Sequence, residues 1–266
     1  MDAARHFWRD PALPYVECRR ATDSEACYLP HTHPTLSVGA VDAGCSVFSC
    51  DGAETRLSKG DVVVIPPHRA HSCNPAPQGP WSYQMLYLDT AWVGTLLQEM
   101  GAADPCVLSQ PMVLRDEDSY RDLRATSARL FSDAEPEEKE AALIVFLGAL
   151  FGRAAPPPAE APQAVSTRLD RVLAHLDEHH AETVPLDRLA ALAGLSRYHF
   201  IRAFRAHTGL TPHAYQLDRR INLAKILLRQ GQGLAEIAQQ LGFSDQSHFS
   251  RAFKQRVAVS PGEYRD

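Results

Sequence analysis

Two sets of residues in this chain have types and spacings that could do chemistry. The first lies in LGFSDQSHFSRAFK, residues 241–254. On a helix turning about 100° per residue, Phe249 and Phe253 sit about 40° apart, and Ser247, Arg251 and Lys254 fall on the opposite side. Nearly the same phrase, AGLSRYHFIRAFR, occurs at 193–205. There Tyr198, Arg202 and Arg205 oppose Phe200 and Phe204, flanked by His199 and Ile201 as the second copy is by His248 and Ser250. An outward arginine near a helix start can donate to guanine O6 and N7 in a major groove. Hydroxyl and imidazole groups can bond bases or phosphates. The second set is His31-Thr32-His33 with His71 further on. Three imidazoles can hydrogen-bond an organic ligand, cap strand ends, or hold a borderline metal such as zinc. Cys27 and Cys73 lie close by in sequence, so a thiolate could complete such a set.

The two phrases are halves of a duplication. Gly194-Leu195-Ser196 matches Gly242-Phe243-Ser244 at an offset of 48, and Phe200, Phe204, Pro212 and Tyr215 match Phe249, Phe253, Pro261 and Tyr264 at 49. Each copy follows a short apolar-periodic helix, LDRLAALA at 186–193 and LAEIAQQL at 234–241. Helix, glycine turn, helix is the helix-turn-helix pattern. Thr211 before Pro212, and Ser260 before Pro261 with Glu263, mark further helix starts. The spacing predicts a helix from Pro212 to about Arg229, ended by Gly231 and Gly233. Eighteen residues span about 27 Å, so with the flanking turns two reading helices, near 197–207 and 245–256, can stand roughly the 34 Å of one duplex turn apart.

Upstream the chain changes character. AAPPPAEAPQA at 154–164 has four prolines and no hydrophobic periodicity, and reads as a semi-rigid linker. Before it, residues 14–90 are strand-length runs broken by Gly52, Gly60 and the Pro66-Pro67 pair, the rhythm of an all-β sandwich or barrel. Helical spacing appears over 117–131 and 136–152, the latter with an acidic start and Leu143, Leu147 and Leu150 in a stripe. That stripe is a candidate dimer face, with packing on its own barrel as the alternative. The expected organisation is α+β in two domains: a β-barrel with a helical hairpin over 1–153, a linker at 154–166, and an all-α double helix-turn-helix domain over 167–266.

Charge follows the same division. The net charge is −5 over 266 residues, but residues 167–266 hold 14 Lys and Arg against 10 Asp and Glu, a net +4, leaving 13 against 22, a net −9, before them. A basic third on an acidic body suits a polyanion partner at the C-terminal end only. The start, MDAARHFWRD, lacks the apolar core of a signal peptide, and the longest apolar run, 141–152, is short of the ~20 residues that span a membrane. A cytoplasmic protein without membrane contact is expected. Six cysteines, with no C-x-x-C pair, read as free and mostly buried thiols. The phosphate-loop, dinucleotide and nucleophile-elbow motifs are absent from the sequence.

The last hundred residues resemble the DNA-binding domain of AraC/XylS-type bacterial transcriptional regulators, through LAALAGLSRYHFIRAFRAHTGLTPHAY and IAQQLGFSDQSHFSRAFK…VSPGEYR. One departure is Ala258 where the first copy has Gly209, a place that strains alanine if φ is positive. The resemblance implies that Tyr198, Ile201 and Arg202 face bases in one groove segment and Ser247, His248 and Arg251 in the next. It also implies that Ser196 and Ser244 cap the helices at the phosphates, with His199, Arg205 and Lys254 alongside. The stretch His31–His33 with GDVVVIPPHRAH (60–71) resembles the cupin-like sensor domain of such regulators. The glutamate that completes a cupin metal set is missing: Pro34, Thr35, Leu36, Ser37 and Val38 follow His33. The reading taken is an effector pocket of His31, His33, His71, Trp81 and Tyr83, with Tyr87 and Trp92 as further aromatic wall, and no resident metal or cofactor. A three-histidine metal set is the alternative. The expected partners are double-stranded DNA, a small-molecule effector, RNA polymerase and a second copy of the chain bound through the N-terminal domain. Activation is the commoner habit of the resembled family. A cupin-type metalloenzyme, a metal or thiol sensor, and a sequence-blind architectural DNA binder are the competing readings.

Overall fold

The computed structural model describes residues 5–77, 79–101, 109–151 and 162–265. The chain divides into two compact units, Met1–Ala155 and Pro156–Asp266.

The N-terminal unit has strands β1 Arg5–Trp8, β2 Val16–Ser24, β3 Leu36–Ala43, β4 Cys45–Cys50, β5 Ala53–Ser58, β6 Val62–Ile65, β7 His71–Pro75, β8 Trp81–Leu88 and β9 Met112–Leu114. Its helices are α1 Thr90–Glu99, α2 Glu117–Leu130 and α3 Pro136–Phe151. Six strands form one antiparallel sheet in the order β1-β2-β8-β3-β6-β9, and three form another, β5-β4-β7. Of the expected sandwich or cupin-like barrel, the open form is found: among the described residues β5 and β7 each form a ladder only with β4, so two sheets face each other as a sandwich without closing into a barrel. The chain changes sheet between β3 and β4 at Gly44, whose φ is +71° and where a Cβ would stand 2.4 Å from the Pro80 carbonyl oxygen. Only glycine fits there.

Strand alternation separates the two faces of the larger sheet. Trp81, Tyr83 and Met85 of β8, with Ala21, Val41, Val63 and Ile65 of its neighbours, pack toward Phe48, Cys50 and Leu57 of the smaller sheet. The intervening residues meet the helices. Cys18 Sγ lies 3.4 Å from Ser127 Oγ, Arg20 Nε donates to that oxygen at 3.0 Å, and Tyr120 Oη donates to Asp42 at 3.1 Å. The helices α2 and α3 pack against each other as the hairpin, and α2 rests on β3 and β8. This consumes the apolar stripe: Leu143, Ile144 and Leu147 are fully buried within the unit. Of the two readings of this stripe, packing within its own unit accounts for these three, while Leu150 is half-buried. Helix α1, which the strand rhythm did not reveal, is capped by Asp89, which accepts from Trp92 N at 2.9 Å.

The second unit is all helical: α4 Pro162–Glu178, α5 Leu186–Ala193, α6 Arg197–Thr208, α7 Pro212–Arg229, α8 Leu234–Gln240, α9 Gln246–Val257 and α10 Pro261–Arg265. The linker stretch 154–161 lies outside the described residues, and α4 begins within the remainder of the expected linker. Proline is tolerated at a first helical position because its missing N–H would have no helical partner there. One half packs Leu169, Val172 and Leu176 of α4 with Leu189 of α5 and Phe200 and Phe204 of α6, all buried. The other packs Ile221 and Leu228 of α7 with Ile237, Phe249 and Phe253.

The halves are joined through α7. Arg220 of α7, 5% exposed, donates to the carbonyls of His180, Glu182 and Gly242, and Gln216 donates to those of His179 and Glu182. Gly242, at φ +73°, lies so close to the backbone of Ala181 that a Cβ would overlap the Ala181 carbonyl oxygen at 1.8 Å. The turn after α4 and the turn before α9 are thus held together through α7.

Among the described residues no helix is long and apolar enough to cross a membrane. The five described cysteines are free. Cys18 and Cys50 are buried, Cys45 and Cys73 partly so, and Cys27 is exposed; Cys106 lies outside the described residues. The expectation of mostly buried thiols thus holds for two of five, because Cys27 lies in a loop and Cys45 near a sheet rim.

Candidate functional site

The reading helices differ in what they leave exposed. In α9, Phe249 and Phe253 are fully buried, while Ser247, Arg251 and Lys254 are exposed and His248 is half-buried. In α6, Phe200 and Phe204 are likewise buried and Arg202 and Arg205 exposed, but Tyr198 is 3% and Ile201 0% exposed. Base contacts expected of Tyr198 and Ile201 are corrected to core positions. Arg202 then lies along the Tyr198 ring, donating from Nη1 to Tyr198 Oη at 2.9 Å, with its guanidinium 5.4 Å from the ring centre.

The helix starts differ too. Ser196 caps α6, accepting from His199 N, and its hydroxyl lies 2.9 Å from His199 Nδ1. In the second copy the inserted residue takes over. Asp245 caps α9, accepting from His248 N at 2.7 Å, and Ser244 instead donates to the Asp245 carboxylate at 3.3 Å. The Ser244 cap is corrected to Asp245, whose carboxylate is a strong acceptor and also suits the positive end of the helix. At the far end Ala258 adopts φ +67°, close to the +77° of Gly209. The second copy therefore carries the left-handed strain that alanine brings.

The histidines converge in the N-terminal unit. His31 and His71 form an isolated bridge, each N–H donating to the other's carbonyl at 3.0 Å, and His68 N donates to the His33 carbonyl at 2.8 Å. One ring nitrogen from each of His31, His33 and His71 lies within 4.8 Å of the others. Each Nδ1 donates to a backbone carbonyl: His31 to Leu29 at 3.0 Å, His33 to Thr35 at 3.2 Å and His71 to Arg69 at 2.8 Å. Burial holds the His33 and His71 imidazoles below their ordinary range, against backbone hydrogen bonds that push the other way.

Around them the structure brings together Trp81 and Tyr83, stacked 4.2 Å apart, and Tyr87, whose ring lies 5.5 Å from His33. The cavity among them measures about 40 Å3, within a cleft of about 380 Å3 that opens to solvent. Trp92 is not part of this wall: α1 carries it onto Tyr15, stacked at 4.3 Å. Cys27 lies outside the cleft. Cys73 lines it, with a thiol that burial pushes up to about 12. Sequence reasoning missed Arg19, Tyr28 and Met85. Arg19 donates to Tyr28 Oη at 2.7 Å and lies over the rings of Tyr28 and Tyr83. Its place depends on pairing of β2 with β8, where Arg19 opposes Met85. With arginine at both 19 and 20, local pattern could not say which faces inward.

Residues 13–147 match the family model of the AraC-like ligand binding domain, and residues 189–266 match that of a helix-turn-helix domain. The chain is 29% identical over 248 residues to the uncharacterized HTH-type transcriptional regulator YbfI of Bacillus subtilis, covering 90% of this chain and 87% of that protein. It is 28% identical over 216 residues to the MmsAB operon regulatory protein of Pseudomonas aeruginosa, covering 80% and 67%. Over 99 residues it is 37% identical to the HTH-type transcriptional activator RhaS of an Enterobacter species, covering 37% and 36%. A ligand-binding sandwich joined to a paired helix-turn-helix unit defines a ligand-responsive transcription factor. The chain belongs to the AraC family: it is a transcriptional regulator with a ligand-binding N-terminal domain and a DNA-binding helix-turn-helix domain.

Proposed function

We propose that this regulator reads two adjacent major-groove segments, with Arg202 and Arg205 of α6 in one and Ser247, His248, Arg251 and Lys254 of α9 in the other. The exposed polar face of α9 over fully buried Phe249 and Phe253 carries the reading. Within it, residues 1–153 are the effector-binding domain, the following proline-rich stretch the linker, and the helical unit from Pro162 the DNA-binding domain. The effector enters the cleft of His31, His33, His71, Trp81 and Tyr83. Activation is the proposed direction, since the RhaS relatives are termed activators. A cytoplasmic location, contact with RNA polymerase, and pairing with a second copy through a face of the N-terminal domain other than α3 complete the reading.

Selection of bound sequences from a random duplex pool, at physiological salt, tests it. Two short blocks about one helical turn apart are the expected outcome. Arg251→Ala should lower affinity for the selected duplex by about 1–3 kcal/mol and relax one position of one block. Sequence-blind, salt-dominated binding by the full chain would instead mark an architectural protein.

A further inference from the structure

We propose that the effector is a small aromatic monocarboxylate, its carboxylate held by the Arg19 guanidinium and its ring lying against the wall of Trp81 and Tyr83. The inference deepens the effector-cleft reading and rests on it. Arg19 brings an uncompensated charge to the cleft. Arginine stays protonated at any physiological pH. Among the described residues Arg19 forms no ion pair, and no Asp or Glu lines the cleft. Glu17, two residues along β2 on the same face, is taken by Arg9 Nε at 2.6 Å. A half-buried cation without a counter-charge is costly, and an anion entering the cleft offsets that cost.

The guanidinium is positioned before a ligand arrives. Its Nη2 donates to Tyr28 Oη at 2.7 Å, and it lies 5.3 Å from the Phe7 ring centre, 5.4 Å from that of Tyr83 and 5.7 Å from that of Tyr28. The rings hold the cation without consuming its N–H groups, and Nε is buried with no protein hydrogen-bond partner. Buried donors left unpaired are rare in native proteins. A guanidinium edge presents N–H groups in a fixed fork that matches a carboxylate, which accepts them in pairs.

The remaining lining residues set the body of the ligand. Trp81 and Tyr83 form a stacked wall with rings 4.2 Å apart, and Met85 adds an apolar thioether. Among the described residues no Asn or Gln lines the cleft either. A sugar would therefore find tyrosine and imidazole groups but none of the amides and carboxylates that pair with neighbouring hydroxyls. A cationic amine would meet Arg19 with like charge. The cleft of about 380 Å3 is at the small end of the roughly 300–1,000 Å3 of ligand sites, which limits the occupant to a single ring with a short acid arm.

Titration calorimetry of the full chain with benzoate, phenylacetate and cinnamate, each beside its neutral amide, tests the proposal. At least one acid should bind one per chain, and its amide at least about tenfold more weakly, the share of one charge-assisted hydrogen bond. Arg19→Gln should erase that preference with the fold kept by circular dichroism, and Arg19→Lys should retain part of it as a point charge. Binding of none of the acids, or equal binding of acid and amide, would overturn the proposal on the native chain alone. Met85→Trp, which fills the cleft from the position opposite Arg19 on β8, should abolish binding of acids and amides alike. Acid and amide bound equally, and both lost in Met85→Trp, would remove the charge preference and leave the cleft reading standing. Acid binding untouched by Met85→Trp would sink both.

Discussion

Asp245 stands at the N-terminus of α9, where an incoming phosphate would otherwise meet free N–H groups. Its carboxyl is held below the ordinary range, chiefly by the His248 backbone hydrogen bond. A depressed carboxylate contributes its stabilisation at neutral pH and loses it as pH falls below the ordinary 3.8 and through the folded value. The same charge repels DNA. Asp245→Asn should keep the cap, since asparagine caps about as well, and should tighten binding to selected and random duplexes alike. Fluorescence anisotropy over a salt series would show it, and an unchanged affinity would put the start of α9 away from the phosphate backbone.

The paired reading helices share a sequence phrase but not an environment. Ile201 of α6 and Ser250 of α9 occupy equivalent places in the duplication, yet Ile201 is fully buried and Ser250 only half. Ile201→Ala should therefore act through stability, costing about 2–5 kcal/mol as a buried aliphatic truncation, and leave the base preference of the folded fraction unchanged. Urea denaturation with parallel duplex selection separates the two. A relaxed base preference at unchanged stability would return Ile201 to the DNA face. The bounds of α5 to α9 were legible because their signals are local: serine or glycine ahead of a helix, proline at its first turn, glycine after it. Helix α1 was missed because its cap, Asp89, directly follows the apolar strand β8 with no glycine or proline between them.

At the scale of the molecule, relative placement of the two reading helices depends on Arg220. Its bonds tie the turn after α4 to the turn before α9, and α7 supplies the span between the two halves. Arg220→Met should cost the C-terminal unit at least about 3 kcal/mol, since one bond from a charged donor is worth about 1.5–3 kcal/mol and several carbonyls are left unpaired. It should also loosen the spacing rule, so that duplexes with one base pair added between the blocks bind nearly as well as the selected one. Undiminished discrimination between spacers would show that α7 alone sets the distance. The sequence by itself determined the duplication, the two-unit division with a basic second part, and the three histidines as a set, because caps, turns, periodicity and charge are written in neighbouring residues. Only the tertiary structure decided that the strands form a sandwich, that the α3 stripe is spent inside its own unit, that Tyr198 and Ile201 are core, and that Arg19 and Tyr28 join the histidines. Those outcomes depend on which strand pairs with which and on which helix covers which face, contacts between residues far apart along the chain.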